Sequence, residues 1–484
     1  MEQLSAQDAS FLYFETPKTP MHIGSIMIYD PSTVPGSGKH GFKDILRTIE
    51  KRLHLARSFR QKLVHVPFNL DHPYWIEDRD FDLEFHVRHI RLPEPGDWRQ
   101  LCIQAARLQS RPLDLTKPLW EFTVVEGLDG IPGLPQGCYA IISKVHHACI
   151  DGVSGVDLIE ALHDLEPDPV EAPPSRPWVG ETEPNSVELM VRAQLHNFTQ
   201  PFRFAEAMVK SVPALGKVGQ SLMERRFDNL NLQPPATRFN RSVSAHRVVE
   251  GRAFDLSEVR AIKNCCDGAT VNDVVLTIIG GALRAYLEAK LELPDTSVIA
   301  MAPVSVRSES EQGALGNRVA AMTVTLGTDI DDPLQRLEAV HHVAAQSKAM
   351  TNAVGAKLMT DYSQFIPSTT AALATRLYTE YGLADRFNLP FNCVVTNVPG
   401  PQIPLYFGGA RLVQHFGLGV VYDGMGLMFP VYSYCGRIMI TITACREMVP
   451  DPEFFMDCLQ SSYEALRTAC DLPDPTGSSD AGEG

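Results

Sequence analysis

The sequence predicts an α/β (α+β) protein of two domains, on three observations. The chain is 484 residues long, more than one ordinary core serves, so two domains are the default. Strand-like and helix-like stretches interleave in both halves, the pattern of layered helix and sheet. Between the halves the composition changes. Residues 165–184 hold six prolines and five acids, too many helix-breaking residues for a packed element, and read as a linker.

In the first half, Met21–Tyr29 reads as a strand. Phe81–Arg88 reads as another, because Phe81, Leu83, Phe85 and Val87 alternate with polar partners. Phe42, Ile45, Leu46, Ile49 and Leu53 recur at helical spacing, predicting an amphipathic helix over 42–54. Asp97 is placed to cap a helix running to about Leu108. Strands follow at Leu119–Val125 and Cys138–Val145, then a helix from about Ser154 to Leu165. After the linker, residues 187–226 carry helical periodicity broken at Pro201 and Pro213. A second alternation begins near Arg247. Val271–Glu288 and Leu334–Met350 read as helices; Ser297–Val306, Arg318–Thr325, Phe391–Asn397 and Arg437–Cys445 read as strands. The polar tail Pro473–Gly484 reads as disordered. No internal repeat is visible.

Composition excludes several classes. Hydrophobic residues make up 44% and charged residues 21%, a globular balance. The count of 43 basic against 58 acidic residues, a formal −15, disfavours nucleic acid as a partner. The opening residues show no basic segment followed by an apolar run, so no secretory signal is expected. The apolar run Val274–Leu287 is interrupted and short of the ~20 residues that span a bilayer. Ten scattered cysteines without a Cys-x-x-Cys argue against a zinc knuckle or a disulfide framework and fit a reducing cytoplasm. No metal is expected.

The densest cluster of chemistry is Lys144-Val145-His146-His147-Ala148-Cys149-Ile150-Asp151-Gly152. It lies where a strand gives way to a turn and then a helix. Adjacent strand residues face opposite ways, so one histidine at most faces a given cleft. Asp151 is spaced to fix the loop or orient an imidazole, and Gly152 lets the backbone turn. The bland alternative is a structural histidine pair. His341-His342, inside a predicted helix with no Asp-Gly after it, is such a pair and receives no function.

The form His146-His147-x-x-x-Asp151-Gly152 resembles the signature of the CoA-dependent acyltransferase superfamily, which includes chloramphenicol acetyltransferase and condensation domains. Pro118-Leu119-Trp120, Asn272-Asp273, Leu315-Gly316-Asn317-Arg318 and Thr396-Asn397-Val398-Pro399-Gly400-Pro401 extend the match. So do Leu4-Ser5-x-x-Asp8-x-x-Phe11 and Pro20-Met21-His22-Ile23-Gly24. Together, over residues 4 to 467, they resemble bacterial wax ester synthases/diacylglycerol acyltransferases. One departure is Ala444-Cys445-Arg446, where the family pattern has Ala-Asp-Arg. The resemblance implies two chloramphenicol-acetyltransferase-like domains with mixed sheets, arranged as a pseudo-dimer with an active-site channel at their interface. The divisions expected are 1–165, a linker with amphipathic helices at 166–245, 246–472, and a tail at 473–484.

The resemblance implies transfer of a fatty acyl group from acyl-CoA, a co-substrate, to a long-chain alcohol, a diacylglycerol, or both; no cofactor is expected. An alcohol hydroxyl has a pKa near ~15.7 and imidazole ~6.5, so alkoxide cannot form in advance. The base must take the proton as the C–O bond forms. A thiolate, with a pKa near ~8.5, leaves readily. By the resemblance the base is His147, with His146 turned away and Asp151 supporting the geometry. Asn272, at a helix start where free N–H groups gather, is the oxyanion candidate. The alternative is that Thr270 caps this helix and Asn272-Asp273 suits its first turn. Pro118-Leu119-Trp120 is a candidate for substrate contact or for core.

Two rival chemistries are weaker. Cys149 is one residue removed from His147 and has no evident second orienting group for a Cys–His dyad. Gly152-Val-Ser154-Gly155 is not a hydrolase elbow. Another superfamily enzyme, of condensation type, or a non-catalytic droplet-binding protein would be the rival functions. The stretch 187–226, with six Lys/Arg against three acids, and residues 39–62, with eight against two, are candidates for docking on a lipid surface; solvated helix faces are the alternative. The expected place is the cytoplasm, in peripheral contact with the inner membrane or lipid inclusions.

Overall fold

The structure, a computed structural model, describes residues 1–36, 41–149, 161–168, 180–196, 198, 233–305, 319–354 and 389–472. The predicted helix from Ser154, most of the stretch after residue 198, and the tail lie outside these residues. Two six-stranded mixed sheets carry the fold. The first runs, in spatial order, Tyr406–Phe407, Ala410–Leu418, His22–Asp30, Tyr139–His146, Trp120–Glu126 and Val87–Arg91. Its neighbours are antiparallel except for the last two strands. The second runs Val319–Thr325, Ile299–Ser305, Cys393–Pro399, Leu427–Tyr434, Arg437–Cys445 and Arg247–Asp255. Here Cys393–Pro399 is parallel to both its neighbours. The mixed α/β class expected from the sequence is the class observed.

The local signals that worked are those with a mechanism. Asp97 caps the helix Trp98–Gln109 by accepting from the Gln100 N–H at 2.8 Å, and Gln100 Oε1 accepts from the Asp97 N–H at 3.3 Å. This reciprocal box satisfies two N–H groups that the helix itself leaves open. Phe42–Arg52 buries Ile45 and Ile49, the periodic positions.

One expected strand is corrected. Phe81–Arg88 is not continuous: Asp82 accepts from the Glu84 N–H at 3.0 Å and starts a short helix, Leu83–His86, and the strand begins only at Val87. The reason is His86. Alternation assigned it to the outer face, yet it is buried, with Nδ1 2.7 Å from the Trp120 carbonyl and its ring stacked on Trp120 and Phe81. A buried imidazole with a carbonyl partner outweighs the period-2 pattern.

The second sheet is backed by Val271–Ala289, which packs against Pro452–Ala469 and Pro333–Val354. Its apolar run is buried on nearly all sides. At Gly280 an added Cβ would lie 2.0 Å from the Leu326 carbonyl oxygen, and at Gly281 2.2 Å from Ser462 Oγ. No other residue permits that approach. Among the described residues no helix is long and apolar enough to cross a membrane.

The sheets do not follow chain order. Ala410–Leu418 leaves the second half and pairs along the edge of His22–Asp30, from Arg411 opposite Asp30 to Leu418 opposite Gly24. Gln109 Nε2 donates to the His22 carbonyl at 2.9 Å and to the Gly419 carbonyl at 3.1 Å. Arg247, from the second sheet, donates to the Lys18 and Val421 carbonyls. The seam between the sheets therefore passes the end of the histidine strand.

Candidate active site

Tyr139–His146 is buried along its whole length, between His22–Asp30 and Trp120–Glu126. At its end the two histidines are held from opposite sides. The His146 N–H donates to the Leu119 carbonyl at 2.9 Å, and the His147 N–H to the Met21 carbonyl at 2.8 Å. Successive peptides bonded to opposite neighbours turn successive side chains apart, as a strand requires. His147 then begins a single 3-10 turn, His147–Cys149.

His146 is fully buried. Its Nδ1 accepts from the Ala148 N–H at 3.1 Å, so its proton sits on Nε2, which faces Glu15 Oε2 at 3.3 Å. His147 lies under Phe11, ring centroids 3.8 Å apart and planes 15° from parallel. Its Nδ1 is buried without a hydrogen-bonding neighbour among the described residues. Burial lowers the His147 pKa to about 4, opposed by the residue's own backbone, with neighbouring His146 adding a little to the lowering. At neutral pH the ring is uncharged.

Phe11 and Glu15 arrive on one element. Ser5 Oγ accepts from the Asp8 N–H at 3.1 Å and starts the helix Ala6–Phe14; Glu15 ends it. Four residues apart, Phe11 and Glu15 occupy one side of the helix and reach one histidine each. The spacing Ser5, Asp8, Phe11 is thus a cap and a face. Glu15 was not a sequence candidate, and nothing in its local pattern distinguishes it from a solvated acid.

A second cluster forms at the start of Val271–Ala289. Thr270 is the cap: its Oγ1 accepts from the Asp273 N–H at 3.2 Å, and Asp273 Oδ2 accepts from the Thr270 N–H at 2.8 Å. Asp273 Oδ2 also meets His341 Nδ1 at 2.9 Å. His341, set aside from sequence as having no function, thus touches a candidate residue. Asn272 takes no part in the cap; its Oδ1 accepts from Asn397 Nδ2 at 3.2 Å. The capping alternative therefore holds for Asp273, while Asn272 keeps its amide N–H groups for another acceptor.

Pro118, Leu119 and Trp120 are all buried. Trp120 Nε1 donates to the Phe59 carbonyl at 2.9 Å, and its ring packs among Phe59, His86 and Phe122. The segment backs the histidine strand. Asp151, Gly152, Ser154 and the stretch Leu315–Arg318 lie outside the described residues. A cavity of about 420 Å³ opens beside the His147–Cys149 turn, lined by Ser5, Asp8, Arg57, Gln61, Ala148 and Cys149 among others.

Residues 4–275 match the model of the wax ester synthase/diacylglycerol acyltransferase catalytic domain, and residues 315–467 that of the same family's C-terminal domain. The chain belongs to this family. It is a wax ester synthase/diacylglycerol acyltransferase family enzyme, using acyl-CoA. A Mycobacterium tuberculosis protein provisionally named a diacylglycerol O-acyltransferase is 32% identical over 99% of this chain and 92% of its own. The solved wax ester synthase/diacylglycerol acyltransferase of Marinobacter aquaeolei VT8 is 25% identical, with a TM-score of 0.68 over 97% of this chain and 100% of that one. The starter condensation domain of rhizomide synthetase, 15% identical over 99% of this chain and 96% of its own with a TM-score of 0.54, shares the fold.

The departure at Cys445 has a local answer. Cys445 stands directly across the strand pair from Arg247. Glu447, two residues on, accepts from Cys445 Sγ at 3.1 Å and from Ser244 Oγ at 2.5 Å. These two hydrogen bonds outweigh partial burial and hold its carboxyl below the usual range. A family Asp at 445 would put a carboxylate in this corner; here Glu447 supplies it.

Proposed function

We propose that this enzyme transfers a fatty acyl group from acyl-CoA to the hydroxyl of a long-chain alcohol or a diacylglycerol, with His147 as general base. The observation that carries the reading is His147 itself: a neutral ring stacked under Phe11, its Nδ1 buried, leaving Nε2 to meet an acceptor hydroxyl. Nε2 takes the proton as oxygen bonds the thioester carbonyl carbon, and the CoA thiolate leaves with the electron pair of the C–S bond. A ring that titrates near 4 cannot pre-form alkoxide, so proton transfer and bond formation go together. His146 stays behind its partners as support. Asn272, its Oδ1 occupied by Asn397, has N–H groups to donate to the tetrahedral oxyanion, where losing one donor costs ~10²–10³ in rate. The supporting roles expected of Asp151 and Gly152 rest on the family motif alone, since both lie outside the described residues.

Supply of such apolar substrates favours peripheral contact with a lipid surface. The helix at 186–196 supports this, since Val187, Val191 and Leu195 are exposed at four-residue spacing while Leu189 and Ala193 pack on Val66 and Tyr74. The function is tested by supplying palmitoyl-CoA with hexadecanol, with dipalmitoylglycerol, and with neither, and separating the lipids formed. Ester that appears only with an acceptor supports the reading and ranks the two. Thiol release without acceptor would make the protein a thioesterase. Val191→Glu with Leu195→Glu should reduce flotation with anionic vesicles while leaving turnover of detergent-dispersed substrate intact.

A further inference from the structure

We infer that Glu15 is a positioning residue for the catalytic pair, holding both histidines from one carboxylate. The inference rests on the assignment of His147 as base. Three connections carry it. Glu15 Oε2 lies 3.3 Å from His146 Nε2, at ion-pair distance but outside hydrogen-bond geometry, and neither atom has a hydrogen-bonding partner among the described residues. Glu15 Oε1 accepts from the Met21 N–H at 3.4 Å, and the carbonyl of that same Met21 receives the His147 N–H at 2.8 Å. Finally, Glu15 ends the helix whose Phe11 covers the His147 ring. One oxygen therefore faces the ring of His146, the other reaches the backbone of His147 through one peptide, and the helix end sets the lid on its imidazole.

The tautomer makes the first contact specific. Because Ala148 occupies His146 Nδ1 as a donor, the proton must be on Nε2, inside a fully buried pocket. The group facing it must accept. A carboxylate does; an alanine removes the acceptor that faces this N–H and leaves a gap at the helix end. The His147 ring would then lose its fixed distance to the acceptor hydroxyl and part of its cover from water. An amide at 15 keeps one accepting oxygen for His146 but offers no second one to Met21, so it should restore part of the function.

The test compares Glu15→Ala, Glu15→Gln and His147→Ala by steady-state kinetics across pH, with histidine-selective NMR of the imidazole titrations. Glu15→Ala should lower kcat on the order of 10²-fold, as for misplacement of a reacting group by about 1 Å, with KM for acyl-CoA little changed. The acid limb of the rate profile and the His147 titration should both move up, and Glu15→Gln should fall between Glu15→Ala and wild type. A purely structural role would reduce the folded fraction and leave the kcat of the remaining enzyme and its acid limb unmoved, which would overturn the inference. Retained activity in His147→Ala would remove the base assignment and this inference with it. Loss there together with wild-type kcat and titration in Glu15→Ala would overturn the inference about Glu15 alone.

Discussion

At His147, burial and stacking act in the same direction. Phe11 covers one face of the ring and the strand end encloses Nδ1, so the charged form loses hydration that no partner among the described residues replaces. The folded enzyme therefore protonates this ring near 4 instead of ~6.5. If neutral His147 is required, kcat/KM should stay level as pH falls through 6.5 and decline only well below it. Phe11→Ala lets water reach the ring, raises its pKa toward 6.5, and should move the acid limb up with it. The pH dependence of kcat/KM for the two proteins checks this. His146, adjacent in sequence, differs because each of its ring nitrogens has a counterpart, the Ala148 N–H and Glu15. The pair stood out in the sequence from the motif, but its partners did not. Phe11 stood in a quoted motif without a role, and Glu15 stood in none.

At the scale of elements, what the sequence disclosed depended on whether the signal was local. The Asp97 cap and the face of Phe42–Arg52 are decided within a few residues, and they were readable. His86 is decided by Trp120, 34 residues away, and no pattern around it announces that contact. The same holds for His341, whose neighbourhood reads as an ordinary helix and whose ring meets Asp273, 68 residues away. The corner at Cys445 shows how a departure from a motif is absorbed. Ser244 and Cys445 both donate to Glu447. Glu447→Gln should therefore lower stability by about 1 kcal/mol, the scale of a hydrogen bond to a partly exposed charge. Cys445→Asp, added to that variant, should restore the loss by placing a carboxylate opposite Arg247. Urea midpoints of the single and double variants measure both steps.

For the whole molecule, the interleaving of strands and helices disclosed the class, while the exchange between halves was hidden. Ala410–Leu418 lies in the second half of the chain and completes the first sheet, a pairing that sequence separation conceals and that only the folded edge of His22–Asp30 specifies. Without it that edge is open, with unpaired N–H and C=O groups that invite association. Residues 1–245 expressed alone should aggregate, and co-expression with 246–484 should return soluble, monodisperse complex by size-exclusion chromatography. A soluble, monomeric 1–245 fragment would show that the crossing strand is dispensable to the first sheet.

Whether a neutral His147 drives O-acyl transfer is measured by comparing wild type with His147→Ala for ester formation from palmitoyl-CoA and an alcohol, at equal folded concentration and under saturating substrate. The variant should lose about 10²–10⁴-fold in kcat, the usual share of a positioned base. Ester formation by His147→Ala at a rate close to wild type would contradict the base assignment.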